Sequence, residues 1–352
     1  MDDLTVLVTG AGSPGIAGTL YSVRNNFENR KIRTVGTDIK SQVAGRYLCD
    51  SFYTISPPSR EAYKSDLFTI CKKEEVDVIL PQNTAELPVI ARLKKEFSEI
   101  GTNVAISDSK AINIANNKYT LLKLAKKAGI PVPRFFKVKT FSELEKHSTQ
   151  LGWPEIPVVI KPPQSNGMRG VRIIHESVDR KKLFYKEKPD HLFATMDEMQ
   201  EILGEIFPDL LVMDYIPGPE YTVDMFHANK KMVALPRRRD AIKSGITFHG
   251  IVEKNEKIIE FSRILSENIN LSFAFGFQFK LDSTNTPIIL ESNPRIQGTM
   301  VLSTFAGANI IYASIKAALN ESIPDFKINW NTEIIRYWGG IGISSEKIIG
   351  TL

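Results

Sequence analysis

The first hundred residues of this 352-residue chain alternate short apolar runs with amphipathic ones, and that alternation restricts the fold more than any other feature. LTVLVTG (4–10), KIRTVGTD (31–38), VDVILP (76–81) and TNVAIS (102–107) read as short strands, LTVLVTG with the pattern of a buried one. Stretches with helical period separate them, residues 85–100 being the clearest. Strands alternating with helices imply a parallel sheet covered on both faces, an α/β unit. From residue 108 a long helix, SKAINIANNKYTLLKLAKKAG, is expected to run to Gly129, where the glycine and the prolines of IPVP stop it. Beyond it the strands VVIKP, GVRII, LLVMDYI and EYTVDMFHANKKMVALPRR are longer and paired, with ANKK (228–231) as a hairpin turn. This half is expected to be α+β with mainly antiparallel sheets.

Composition removes several function classes. With 42% hydrophobic and 24% charged residues, the chain has apolar material for two or three packed units. Its formal net charge of +5 is dispersed, and the one dense basic run, Arg237-Arg238-Arg239, is too short to propose nucleic-acid binding. Two cysteines, Cys49 and Cys71, make neither a disulfide framework nor a metal motif, and the five histidines are scattered. No basic leader opens the chain and no apolar run is long enough to span a bilayer, so a cytoplasmic protein without a membrane partner is expected.

Gly10-Ala11-Gly12-Ser13-Pro14-Gly15 is a GxGxxG placed after a strand and before a helix, and Asp38 ends the second strand. This is the arrangement of a dinucleotide site, in which the acid holds a ribose. Three readings stay open: nicotinamide binding, contact with another substrate, and a tight turn that needs glycine without any ligand. Pro14 and the absence of an evident hydride-transfer set weigh against the first.

FGFQFKLDSTNTPIILESNPRIQGT (275–299) reads as a β-hairpin whose four-residue loop is Ser283–Thr286. That loop would set Gln278 opposite Glu291, Phe279 opposite Leu290 and Leu281 opposite Ile288. Phe277, Phe279, Leu281, Ile288 and Leu290 then form the core face, while Gln278, Lys280, Glu291 and Asn293 form the other, with Ile289 among them. An amide oxygen, a carboxylate and a second amide oxygen suit a hard divalent cation, and Arg295 beyond them suits phosphate. Upstream, Lys161 ends an apolar strand and opens a loop with Ser165, Asn166, Gly167 and Gly170, an arrangement for covering phosphates. Lys118 could supply a second cation. Tyr215 and Ile216 lead into Pro-Gly-Pro, a hinge whose backbone could read an adenine edge, and Glu220 could accept from ribose hydroxyls. Arg237 and Arg239 share one side of a strand and, with Lys243, are candidates to line an anionic substrate pocket.

In that order, Lys118, VVIKPPQSNGMRGV, MDYIPGPEYTVD, FQFKL and ILESNPR resemble the ATP-grasp superfamily, in particular its carbamoyl-phosphate synthase large-subunit-like branch, over nearly the whole chain. The resemblance implies a Rossmann-like preATP-grasp domain at 1–107, whose glycine loop binds no NAD. It implies a two-lobed ATP-grasp fold at 108–330, with a lid at about 131–215 and a central lobe at about 216–330, and an extension at 331–352. Lys118 and Lys161 would contact nucleotide phosphates under the lid loop that carries Ser165, Asn166, Gly167 and Gly170. Asp214, Tyr215 and Ile216 would sit beside adenine and Glu220 at the ribose. Gln278, Glu291 and Asn293 would hold Mg²⁺, with Mn²⁺ as a substitute, and Arg295 would stabilise the transferred phosphoryl group. Asp214 departs from the glutamate of many relatives, and with a single ATP-grasp unit carbamoyl phosphate synthesis is not expected.

The implied activity is that of an ADP-forming carboxylate–amine ligase acting through an acyl phosphate. Its cosubstrates would be ATP, a small carboxylate and a small amine, and a homodimer is compatible with it. Lys161, Arg295, Arg237 and Arg239 are the candidate catalytic residues. Gly12, Ser13, Asn83, Thr84, Glu86, Arg237, Arg239 and Lys243 are the candidate substrate contacts. The rival readings are an NAD(P)-dependent oxidoreductase using the glycine loop, an ATP-dependent phosphotransferase and an idle nucleotide-binding subunit.

Overall fold

The computed structural model describes residues 3–165, 167–186 and 192–352. Strands β1 (Leu4–Thr9), β2 (Ile32–Asp38), β3 (Ser51–Thr54), β4 (Val78–Leu80) and β5 (Asn103–Val104) form a parallel sheet in the order β3-β2-β1-β4-β5. Both faces of β1 are buried, Val6 and Val8 in one core and Leu7 in another. The expected sheet is present with one strand more. β3 escapes notice because it is a sheet edge without a buried residue.

Two expected helices are each broken in two. Residues 85–100 form Leu87–Arg92 and Lys94–Glu99. The long helix from residue 108 is Ser109–Ala115 followed by Lys118–Lys127. Asn117 causes the second break: it adopts an extended backbone (φ −109°, ψ 107°) and its side chain caps the new helix by accepting from the Thr120 N–H at 3.1 Å. Lys118 thereby becomes the first residue of a helix instead of a mid-helix residue.

A second sheet, β6 (Phe135–Thr140), β7 (Val158–Lys161), β8 (Arg172–Ile174), β9 (Phe193–Ala194) and β10 (Ile206–Asp214), has the order β6-β10-β7-β8-β9 and is antiparallel except between β8 and β9. A third comprises β11 (Glu220–Ala228), β12 (Lys231–Lys243), β13 (Ile246–Val252), β14 (Phe273–Leu281), β15 (Pro287–Asn293) and β16 (Glu333–Ile335), in the order β15-β14-β11-β12-β13-β16. The hairpin β17 (Ile341–Ser344) and β18 (Lys347–Thr351) closes the chain. The ANKK turn forms as expected: Ala228 pairs with Lys231, and Asn229 and Lys230 between them have φ of 52° and 64°, the two positive values that a two-residue hairpin turn demands. Among the described residues, no helix is long and apolar enough to cross a membrane.

The loop of the β14–β15 hairpin differs from expectation. The Asp282 N–H donates to the Thr286 carbonyl at 3.0 Å, leaving three loop residues, with Asn285 at φ 61°. The Asp282 carboxylate fastens this tighter turn by accepting from the N–H groups of Thr284 (2.8 Å) and Thr286 (2.9 Å). Pairing from Asp282–Thr286 sets Leu281 opposite Pro287 instead of Ile288, so the expected opposition of Gln278 and Glu291 is displaced by one residue. Burial follows that shift. Phe277 and Phe279 are wholly buried as expected, but on β15 it is Ile289 that is wholly buried, while Leu290 is only half-buried.

The chain divides into two compact units. Unit 1 comprises Met1–Ala115, Pro219–Phe279 and Ser292–Leu352; unit 2 comprises Asn116–Gly218 and Lys280–Glu291. In unit 1 one core joins Val6 and Val8 of β1 to Phe226 of β11, Leu235 of β12 and the helix Ile310–Ala318. In unit 2 a separate core gathers Val138, Leu144, Ile160, Ile174, Met199 and Val212.

The glycine loop is part of the unit 1 packing. A Cβ on Gly15 would lie 2.7 Å from the Gly298 Cα and 3.1 Å from its carbonyl oxygen, so the chain after β15 is seated directly on the loop. Gly15→Ala is therefore expected to cost about 1–3 kcal/mol by overpacking. Calorimetry should show the melting midpoint falling by several degrees; an unchanged midpoint would mean that the segment at residues 297–298 yields.

Candidate functional site

In unit 2 two lysines come to successive residues of one strand. Lys161 closes β7, where pairing with Leu211 of β10 fixes its position, and its Nζ donates to the Leu290 carbonyl at 3.3 Å. Lys118 begins its helix with its N–H bonded to the Pro163 carbonyl. Its Nζ lies 3.7 Å from the Glu291 carboxylate and donates to both the carbonyl and the hydroxyl of Ser165, each at 3.2 Å. Lys118 and Lys161 are only 5% and 6% exposed. Taking ammonium groups out of water costs several kcal/mol each unless anions answer them. After Ser165 the loop turns outward, with Gly167 and Gly170 exposed. Asn166 lies outside the described residues.

Asp214 ends β10 with its carboxylate on Arg134, taking the backbone N–H at 2.7 Å and the guanidinium at 2.9 Å. Tyr215 and Ile216 follow, half-buried, and among the described residues neither backbone group of either bonds another backbone group. The Lys280 ammonium stands 5.4 Å over the Tyr215 ring. A Cβ at Gly218 would meet the Leu281 carbonyl at 2.2 Å, so the Pro-Gly-Pro segment can run against the end of β14 only without a side chain.

In unit 1 Arg295 leaves β15 with its guanidinium spread over three acceptors. Its Nε donates to the Thr84 hydroxyl at 3.0 Å, Nη1 to the Ile296 carbonyl at 2.9 Å and Nη2 to the Asn293 amide oxygen at 3.3 Å. The loop after β4 thus meets the end of β15 at Thr84, beside the half-buried Asn83. Gln278 is half-buried on β14. The candidate metal set offers one carboxylate and two amide oxygens. Among the described residues no cluster of three or more His, Cys, Asp or Glu exists to hold an ion. Such a donor set fits Mg²⁺ when nucleotide phosphates complete its shell.

The remaining candidates are placed as follows. Gly12 is exposed, and its N–H donates to the Asp38 carboxylate at 2.7 Å; Asp38 also takes the Lys40 N–H, so this acid braces the loop. Ser13 is half-buried. Arg237 does not line a surface pocket: it is 1% exposed, its Nη2 bonded at 2.8 Å to Asp224, which is 0% exposed and also accepts from Ser303 at 2.5 Å. Arg239 spends its guanidinium on Glu220, the Thr247 hydroxyl and the Gly245 carbonyl, so Glu220 and Arg239 form one cross-strand pair. Lys243 is exposed, 4.7 Å over the Phe248 ring and 5.9 Å from that of Trp338. Two features escape a sequence reading. Asp224 has a signal, a lone acid inside the apolar run YTVDMF, which announces a buried ion pair. Arg336, after β16, has none: it is half-buried, its backbone N–H bonds the Phe248 carbonyl, and its Nη2 donates to the Gly298 carbonyl at 2.5 Å.

Comparison with known proteins follows this geometry. Residues 206–337 match the family described as ATP-grasp in the biosynthetic pathway with Ter operon, and residues 6–105 match the PylC-like N-terminal domain. Carbamoyl phosphate synthase large chains are relatives: that of Pyrococcus furiosus is 25% identical over 238 residues, 65% of this chain and 21% of its own. That of Saccharolobus islandicus is 26% identical over 258 residues, 70% of this chain and 22% of its own. The chain thus spans about a fifth of the length of these relatives. Among solved structures, N5-carboxyaminoimidazole synthetase from Staphylococcus aureus complexed with ADP has a TM-score of 0.68 at 18% identity, covering 93% of this chain and 80% of that one. The biotin carboxylase domain of Hydrogenobacter thermophilus 2-oxoglutarate carboxylase, with Mg·ADP and bicarbonate, has a TM-score of 0.69 at 17% identity, covering 94% and 73%. These likenesses are of fold.

Glu86 departs furthest from its expected role. It is 1% exposed and accepts from the Thr9 hydroxyl at 2.6 Å, inside the unit instead of at a substrate surface. Burial pushes its carboxyl up to about 7, and the Asp38 charge adds to the rise. Its folded value stands above the unfolded one, so the native state holds a proton that the unfolded chain gives up first, and stability falls as pH rises through 4.5 to 7. Glu86→Gln is expected to flatten that part of the profile in melting scans between pH 4.5 and 8. Parallel profiles for the two proteins would contradict the assignment.

Proposed function

We propose that this ATP-grasp protein with a PylC-like N-terminal domain is an ATP- and Mg²⁺-dependent ligase. In this reading it joins a small carboxylate to a small amine and releases ADP and phosphate. The observation that carries the reading is the pair of buried lysines on Leu290 and Glu291. Two neighbouring ammonium groups take adjacent anionic oxygens together, and ATP brings several in a row.

Residues 108–330 supply the machinery in this reading, and residues 1–107 the acceptor scaffold. Lys118 and Lys161 take the phosphates under the loop from Ser165 to Gly170. The Tyr215–Ile216 backbone reads the adenine edge, and Glu220, held by Arg239, faces the ribose. Gln278, Glu291 and Asn293 hold Mg²⁺, which when bound supplies charge neutralisation on the phosphates. Arg295, fixed by Thr84 and Asn293, adds positive charge where the phosphoryl group passes. A substrate carboxylate oxygen attacks the γ-phosphorus and ADP leaves, giving an acyl phosphate. The amine nitrogen then attacks the acyl carbon, phosphate departs, and the amine loses a proton. This chemistry needs positioning and charge more than a side-chain nucleophile. The packing of Gly15 on Gly298 and the use of Asp38 within the loop favour a scaffold there over a nicotinamide site.

Glu291→Gln is expected to lower Mg·ATP-dependent ADP release by about 100-fold or more while leaving near-ultraviolet circular dichroism intact. Turnover at the wild-type rate would remove Glu291 from the site. Thr84→Val, which takes one acceptor from a charged donor, should cut kcat about tenfold with little change in the KM for ATP. A rise in that KM alone would assign Thr84 to nucleotide binding instead of to positioning Arg295. A screen of amino acids and small carboxylates for ADP release, with mass spectrometry of the product, identifies the substrates.

A further inference from the structure

The loop that leaves β4 carries Thr84 to Arg295, and both of its ends are fastened to one hydroxyl. Thr84 accepts from the Arg295 Nε at 3.0 Å. Two residues on, the buried Glu86 carboxyl accepts from the Thr9 hydroxyl at 2.6 Å, at the end of β1. The Thr9 oxygen in turn accepts from the Gln82 N–H at 3.2 Å. Between these ends Asn83 takes the Ala85 N–H on its side chain and the Glu86 N–H on its carbonyl, each at 3.0 Å. Asn83 has little room to slide, because a Cβ at Gly10 would lie 3.2 Å from its own. Residues 82–86 thus form a closed bracket within unit 1, and the Thr9–Glu86 bond is its closure.

That closure depends on a proton. The Glu86 carboxyl is faced from β1 by Thr9, from the helix Ala62–Lys73 by the Tyr63 phenol and from the end of β2 by the Asp38 carboxylate. None of these is a cation. A buried carboxylate without a cation, near a second acid, is unstable in its charged form. Water is what relieves such a charge, and at 1% exposure Glu86 reaches water only if the bracket opens. Thr84 lies inside the bracket, so opening it withdraws the acceptor from Arg295.

We propose that Glu86 is a positioning residue: as the neutral acid it closes the bracket on Thr9, and Thr84 then holds Arg295 aimed at the phosphoryl group. Loss of the proton opens the bracket and releases Arg295 from Thr84. The role of Arg295 rests on the ligase reading, whereas the bracket does not. Burial pushes the carboxyl up to about 7, so the bracket is closed below neutral pH and opens as pH rises past it.

Hydrogen exchange on the full chain reads the bracket without any ligand. The N–H groups of Gln82, Ala85 and Glu86 report its closure, and those of Leu7 and Val8 in β1 serve as the reference. Relative to that reference, the three protection factors of the wild type should fall about tenfold between pH 6 and 8. Glu86→Gln keeps an acceptor for Thr9 and has no proton to lose, so its protection should stay constant. Constant protection in the wild type, or an equal fall in the variant, overturns the proposal. If Glu86→Gln fails to fold by circular dichroism, the wild-type comparison alone decides. Glu86→Leu, which fills the space without an acceptor, should leave the three amides weakly protected at both pH values; full protection overturns the closure. With a carboxylate substrate in hand, the ratio of wild-type to Glu86→Gln kcat for ADP release should also fall about tenfold between pH 6 and 8. The corresponding ratio of KM for ATP should change by less than about twofold, a split that loss of structure alone would not give. A kcat ratio indifferent to pH while the amides titrate overturns the positioning role. Titrating amides with no carboxylate-dependent ADP release from the wild type would overturn the ligase reading and leave the bracket standing.

Discussion

Two ammonium groups withdrawn from water are the constraint around which unit 2 is arranged. Lys161 is delivered by a strand end whose position is set by pairing with β10, and Lys118 by a helix that starts afresh at Asn117. An unbroken helix would have given Lys118 no capped N-terminus and no Pro163 carbonyl on its backbone N–H. Backbone choices that seem local, an asparagine cap and a strand end, thus decide where two charges sit. Both reach β15, the strand that continues into Asn293 and Arg295.

Much of this is legible in the sequence, and the failures have physical causes. The sheet of the first hundred residues is readable because β1 and β4 are buried along nearly their whole length and so appear as apolar runs. β3 is not, because an edge strand carries no such run. The ANKK turn announces itself through residues that tolerate a left-handed backbone. The β14–β15 loop misleads because STNT looks like four polar loop residues, whereas Asp282 draws Thr286 into the pairing. One residue of loop length exchanges which of Ile289 and Leu290 is interior. Side-chain roles are harder still. Glu86 and Arg237 look like surface polar groups in one dimension, and only the third reveals that Thr9 and Asp224 enclose them.

The arginines of β12 show how one residue type serves different ends two residues apart on one strand. Arg239 is neutralised across the strand by Glu220 and stiffens β11 against β12. Arg237 shares Asp224 with Ser303, so that acid is divided between a charge and a hydroxyl.

The division of the chain has a consequence for its modularity. Unit 2 is not one insertion but two, Asn116–Gly218 and Lys280–Glu291, and the second supplies the stretch of β15 on which both lysines rest. A shuffling event that transplanted residues 116–218 alone would carry the lysines and leave behind the backbone that receives them. Recombination that keeps unit 2 whole therefore has to exchange the Lys280–Glu291 hairpin together with Asn116–Gly218.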